Sequence, residues 1–454
     1  MRFQTVHTPT SLTEGPISQA LISFALPLLL GNLFQQLYNT ADSLIVGNFL
    51  GSEALAAVSS SGNLIFLMVG LVNGVSMGAG VVIARYFGAK DYDRMQKTIH
   101  TLLAFGLVAG ALLTVVGVVL SPVMLRLMDT PETVLPDSIS YFRTYFTGSL
   151  AFVLYNICMG ILQAVGDSRH PLQYLIISSI VNIALDYYFM GTLHLGPAGA
   201  ALGTTLSQAV SVLVSLAVIL KRRLISVRRA DFRPQRAVMG KLLQIGVPVA
   251  LQDGFIQVSF VIITIIANRR GLTDAAAVGI VEKIIGFLFL IPSSMLSTVS
   301  ALGAQNIGAG KPERARLTLR YAAMIACSFG ITIVILTQFI AEPLVGLFTP
   351  DAAVAAAGGQ YLRGYIWDSF FAGVQFSFSG YFCACGKSGI SFLHNSLSIL
   401  LVRVPGAYLA SKYFPQTLLP MGLANAAGSL FSILVCVIAY TILTRREKRA
   451  QEAT

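Results

Sequence analysis

Long apolar runs separated by short polar joints fill this chain. Twelve runs each reach the ~20 mostly apolar residues that a membrane-spanning helix needs. They cover roughly 17–45, 54–84, 98–125, 138–165, 170–192, 197–220, 242–267, 275–304, 317–341, 354–382, 389–411 and 416–443. Some exceed a straight crossing, which predicts tilt or kinks. Pro27, in the middle of the first run, removes a donor from that helix's hydrogen-bond ladder.

The pattern repeats at a nearly constant spacing of 220 residues. "ARYFGAKDYDR" (84–94) aligns with "AQNIGAGKPER" (304–314), and "GILQAVGDS" (160–168) with "GYFCACGKS" (380–388). Tyr141, Arg143 and Tyr145 align with Tyr361, Arg363 and Tyr365, Pro27 with Pro248, and "GPAGAA" (196–201) with "LPMGLA" (419–424). Each half therefore holds six spans, and an even number leaves both copies in the same orientation. The expected fold is an all-α membrane protein: twelve transmembrane helices in two six-helix bundles related by an axis along the membrane normal. The expected organisation is a tail (1–16), a first lobe (17–220), a basic linker (221–241), a second lobe (242–443) and a tail (444–454). Two like bundles facing each other suit alternating access, which a passive anchor does not need.

Composition agrees with this reading. The chain is 55% apolar and 11% charged, with a mean hydropathy of +0.73. A soluble protein of this length needs more charge on its surface. The first sixteen residues are polar, so no cleavable signal peptide is expected. Placing both termini and the even-numbered loops on one side collects 23 of the 31 lysines and arginines there, which predicts cytoplasmic termini in a multi-pass cell inner membrane protein. The segment "KRRLISVRRADFRPQRAVMGK" (221–241) is the most basic. It reads as a topology signal contacting lipid headgroups, so no nucleic-acid partner is expected. Cys158, Cys327, Cys383, Cys385 and Cys436 all lie in apolar runs, against a disulfide framework. The Cys383–Cys385 pair reads as helix packing.

The candidate chemistry lies within the spans, where ionisable groups are costly and usually functional. The first half carries Asp42 in its first span and Asp186 in its fifth. Asn182 precedes Asp186 by four residues, on the same helix face, and "GTT" (203–205) brings Thr204 into the sixth. Two carboxylates, an amide oxygen and a hydroxyl suit a hard cation such as Na+ or a proton. Such groups also simply bond helices together. The repeat separates these readings: opposite the four stand Ile262 or Ile263, Val402, Gly406 and Ala427, all apolar. Repulsion between two buried carboxylates is relieved by a bound cation or by a proton. Competition between these ligands for one site is the physical basis of an antiporter.

The second half has its own ionisable residues at depth: Asp253, Asp368, Glu282, Lys283 and Arg403. Arg403 finds a partner in Asp368 or Asp253, and each of these groups reads equally well as packing or as function. Tyr38, Phe152, Tyr155 and Trp367 read as packing or as rings lining a pocket for flat organic cations. An enzyme would need a clustered nucleophile, metal set or acid–base pair. His7, His100, His170, His194 and His394 are scattered without ligand spacing, and no phosphate-binding glycine loop with an adjacent lysine occurs.

"PLLLGNLFQQLYNTADSLIVGNFLG" (27–51) and "GAGKPERAR" (308–316), with the two six-span repeats, resemble the multidrug and toxic compound extrusion family over nearly the whole chain. The resemblance is to the prokaryotic branch of the DNA-damage-inducible and staphylococcal-type exporters. It implies a secondary active antiporter, not an enzyme, that exports amphipathic and often cationic drugs in exchange for H+ or Na+, with no other cofactor. It implies an N-lobe cation site at Asp42, Asn182, Asp186 and Thr204. The tentative substrate cavity set is Tyr38, Tyr155, Asn156, Gln257 and Asp368. The sodium-coupled branch carries a seventh-span glutamate where this chain has Ile256, so coupling is expected to rest on the N-lobe. Partners are small molecules and the bilayer, with a monomer expected. The alternative within this superfamily is a flippase for lipid-linked cargo, which a broad basic groove would favour over acids at depth.

Overall fold

A computed structural model describes residues 12–127, 130, 132–222, 224 and 235–452. Most of the 1–16 tail, the middle of the 221–241 segment and the last two residues lie outside them. The described residues are helical with short turns, as hydrocarbon demands: a chain there must satisfy its own backbone groups.

The order is α1 (Ile17–Gly88), α2 (Tyr92–Leu127), α3 (Leu135–Thr147), α4 (Ser149–Ala164), α5 (Arg169–Asp186) and α6 (Pro197–Lys221), then α7 (Arg236–Asn268), α8 (Leu272–Leu288), α9 (Leu290–Gly308), α10 (Pro312–Gly346), α11 (Ala352–Tyr365), α12 (Trp367–Ala384), α13 (Ser388–Ser398), α14 (Val404–Tyr413) and α15 (Leu419–Glu452). A π-helical turn, Tyr187–Thr192, extends α5, and another, Ile399–Arg403, joins α13 to α14. α1 is two helices broken at Gly51, whose φ of 82° a glycine adopts without strain. Ten helices are long and apolar enough to cross a membrane, and α3 with α4, bent by 48° across Gly148, makes an eleventh. α11 and α12 form the remaining segment. The Asp351 carboxylate starts it, accepting from Ala353 N (2.8 Å) and Val354 N (3.4 Å) as an N-cap.

The repeat is written in the backbone. Gly51 and Gly271, Lys90 and Gly310, and Gly166 and Gly386 are three pairs of left-handed residues, each 220 positions apart. Both fourth spans are broken, at Gly148 and at Ile366, and both fifth spans contain a π turn. The chain forms two compact units. One holds Leu26–Gly246; the other holds Val247–Thr454 together with Gly15–Ala25. Both transitions fall within two residues of a repeat-matched proline, Pro27 and Pro248. The division thus lies inside α7 rather than in the basic segment. Arg314 Nη1 donates to Gly15 O (2.9 Å), tying the start of α1 to the second unit.

Within the first unit, Ile45, Val46, Tyr141, Met190, Ala200 and Ala201 form a buried cluster beside the polar site. The second unit packs around Val278, Val281, Tyr361, Tyr365 and Met421. Glycines permit close helix approach: a Cβ at Gly78 would stand 2.4 Å from Gly246 N.

Candidate cation site

Three helices of the first unit each present residues four apart, hence on one face. α1 supplies Tyr38 and Asp42, α3 supplies Tyr141 and Tyr145, and α5 supplies Asn182 and Asp186. α6 adds Thr204. Tyr38 Oη donates to Thr204 Oγ1 at 3.3 Å, and Asn182 Nδ2 donates to Thr204 Oγ1 (3.3 Å) and Asp186 Oδ1 (3.5 Å). Asp42 and Asp186 lie within electrostatic range of each other. Asn182, Asp186 and Thr204 are buried, and Asp42 is half-buried. The structure thus brings all four expected residues together, with Tyr38 among them.

Asp186 closes α5 where its π turn begins, and it lies against Gly203, the residue before Thr204. A Cβ at 203 would come within 2.2 Å of Asp186 Oδ1. Asp42 Oδ1, Asp186 Oδ2 and Asn182 Oδ1 are buried without a hydrogen-bond partner. Two acids and three unpartnered oxygens, with no lysine or arginine paired to them among the described residues, can take up a hard cation or share a proton.

Tyr141 and Tyr145 belong to this neighbourhood, within electrostatic range of Asp42. Their spacing in "YFRTY" carried the signal, yet it served the sequence reading only as a repeat anchor. Three members of the cavity set stand apart from the cluster. Tyr155, Asn156 and Gln257 are half-buried, and Asn156 Nδ2 turns back onto its own helix, donating to Phe152 O (2.9 Å). Asp368 lies in the second unit, fully buried, with Arg403 Nη2 at 3.2 Å. Asp253 lies near Cys383. Glu282 accepts from Thr264 Oγ1 at 3.3 Å, while Lys283 is exposed. Among the described residues, no three His, Cys, Asp or Glu side chains group as a metal set.

The apolar counterparts expected in the second unit need correction. Val402 and Gly406 are half-buried and Ala427 is exposed, whereas Arg403, Ala407 and Asn425 are buried. The π turn at Ile399–Arg403 accommodates an extra residue and advances the register by one. The buried counterparts of Asn182 and Asp186 are therefore Arg403 and Ala407; Ile263 is the buried one of the two residues opposite Asp42, and two residues before Ala427 the buried residue is Asn425. Two of these are polar: Arg403 pairs with Asp368, and Asn425 Nδ2 donates to Tyr361 Oη (3.3 Å). Polarity at these positions is thus shared by both units. What distinguishes the Asp42–Asp186 site is two acids with no base paired to them among the described residues, where the second unit pairs Asp368 with Arg403.

A duplicated set of membrane-length helices around buried acids fits a multi-pass membrane transporter. The MatE family matches residues 27–188 and again 248–409, and the chain belongs to that family. The two matches begin 221 residues apart, at the aligned Pro27 and Pro248. The chain is 28% identical to the probable multidrug resistance protein YpnP of Bacillus subtilis (strain 168), over 94% of this chain and 96% of the relative. It is 23% identical to the multidrug export protein MepA of Staphylococcus aureus (strain bovine RF122 / ET3-1), over 95% of each. Its fold is similar to that of a MOP superfamily transporter from Pyrococcus furiosus, with a TM-score of 0.89 at 23% identity, covering 96% of this chain and 99% of that one.

Proposed function

We propose that this protein is a secondary active antiporter of the cell inner membrane. It exports amphipathic, often cationic, organic compounds in exchange for H+ or Na+ by alternating access. The observation that carries the reading is the Asp42–Asp186 pair, with an unpartnered buried oxygen on each acid and no base paired to either among the described residues. The multidrug names of the relatives support the cargo class.

The coupling ion binds at Asp42, Asn182, Asp186 and Thr204. A proton or Na+ there cancels like-charge repulsion that otherwise disfavours the closed, dry state. Cation binding from one side and release to the other then biases which state the chain occupies. An organic cation gains from the same negative field and from the rings of Tyr38, Tyr141 and Tyr145. The protein works as a monomer, with both termini in the cytoplasm by its charge bias.

The test is efflux of an ethidium-like dye from proteoliposomes under separately imposed Na+ and proton gradients. The proposal expects one of the two gradients to drive export. Equal dye flux with and without either gradient overturns it.

A further inference from the structure

The second unit solves the same burial problem with a different charge. Where the first unit has Asp42, Asn182 and Asp186, it has Ile263, Arg403 and Ala407: both acids are gone and one cation is gained. One acid is added, Asp368, in the first turn of α12. Arg403 Nη2 donates to Asp368 Oδ2 at 3.2 Å, to Asp368 Oδ1 at 3.4 Å and to Ser429 Oγ at 3.1 Å. Asp368 is 0% exposed and Arg403 6%.

The geometry parallels that of Asn182. The Asn182 amide links the fifth span to a hydroxyl on the sixth, Thr204; the Arg403 guanidinium links the eleventh to a hydroxyl on the twelfth, Ser429. The π turn directs Arg403 inward, and Gly428 leaves the room, since a Cβ there would lie 3.1 Å from Arg403 Cβ. The other groups sharing this neighbourhood are Tyr361, Tyr365 and Glu282, the last hydrogen-bonded to Thr264.

We propose that Arg403 is a tethered counter-cation. It does permanently for Asp368 what an exchanged proton or Na+ does for the Asp42–Asp186 pair. Asp368 therefore takes up no exchangeable ion. The consequence for coupling rests on the antiport reading; the binding statement does not.

Removing one partner of a buried pair leaves a bare charge and destabilises strongly, whereas removing both often does not. The deciding variant is therefore D368N/R403M, compared with wild type and D42N as purified full-length chains in nanodiscs. Two readouts are taken: protons bound between pH 5 and 9, and radioactive Na+ bound per chain. The double variant is expected to match wild type in both, because its lost charges cancel. A proton that titrates in wild type and not in the double variant, or a fall in Na+ bound, overturns the proposal. R403N, which places at 403 the residue of position 182, is expected to gain one bound proton or Na+ per chain; a folded R403N without that gain also overturns it. D42N separates the two readings. If D42N binds as many protons and Na+ ions as wild type, the antiport reading fails, while the role of Arg403 is still decided by the double variant.

Discussion

Gly203→Ala adds one methyl group to α6 and changes no polar atom. The new Cβ would stand 2.2 Å from Asp186 Oδ1, 3.3 Å from its carboxyl carbon and 3.5 Å from Asn182 Nδ2. Restoring van der Waals contact requires the carboxylate to retreat by about 1 Å. Overpacking of this kind costs about 1–3 kcal/mol, which a chain of this size tolerates. Displacing a functional group by about 1 Å costs on the order of a hundredfold in a geometry-dependent step. The expected result is a folded, monodisperse protein whose ion-driven dye exchange in proteoliposomes falls by about ten- to a hundredfold. Gly279→Ala is the control: a Cβ there meets nothing within 4 Å, so exchange should stay at the wild-type rate. Gly203→Ala exchanging within about twofold of wild type would refute the reasoning that the position of Asp186 sets the rate.

Other outcomes follow from the same geometry. Asp42→Asn should abolish gradient-driven export of an ethidium-like dye without lowering expression, measured as efflux from intact vesicles. Asp186→Asn should lose exchange and bind a cationic dye more weakly than wild type by fluorescence titration, because the same negative field serves cation and cargo. Arg270 ties the turn after α7 to the turn after α14, donating to Asp274 Oδ2 (2.7 Å) and to the carbonyls of Ser411, Phe414, Pro415 and Thr417. Arg270→Ala should lower stability by about 2–4 kcal/mol in thermal unfolding, with exchange per folded molecule unchanged. Asp167 lies in the turn between α4 and α5. Burial pushes its pKa up, but hydrogen bonds from the His170 backbone and ring and from Arg222 outweigh this and hold it below the usual carboxylate value. A depressed folded-state pKa contributes stability above the unfolded value that is lost as pH falls through the folded one. Asp167→Asn should therefore melt lower than wild type near neutrality, and the gap should close as pH drops below about 4.

Most of the fold was legible because hydrocarbon leaves few alternatives. Each apolar run of sufficient length had to become a helix, and glycines at 51, 166, 271 and 386 marked the turns. The four polar residues of the first unit were legible for the same reason: at that depth a carboxylate is too costly to be incidental. Contacts between residues far apart in sequence were less accessible. The sequence offered Asp368 or Asp253 to Arg403, and the fold selects Asp368, 35 positions away. A π turn also shifts the register by one without any signature in composition, which put Val402 rather than Arg403 opposite Asn182. Charge marked the basic segment as the joint between the halves, while the two compact units divide beside Pro27 and Pro248.

The central claim is that cargo and cation contend for the Asp42–Asp186 pair, and cation release on cargo binding tests it most directly. Purified protein loaded at fixed pH and Na+ is titrated with dye while a pH indicator and a Na+ electrode record the solution. The account predicts release of protons or Na+ in step with dye bound by the wild type, and none from Asp42→Asn. Saturable dye binding by the wild type with no cation released would contradict it.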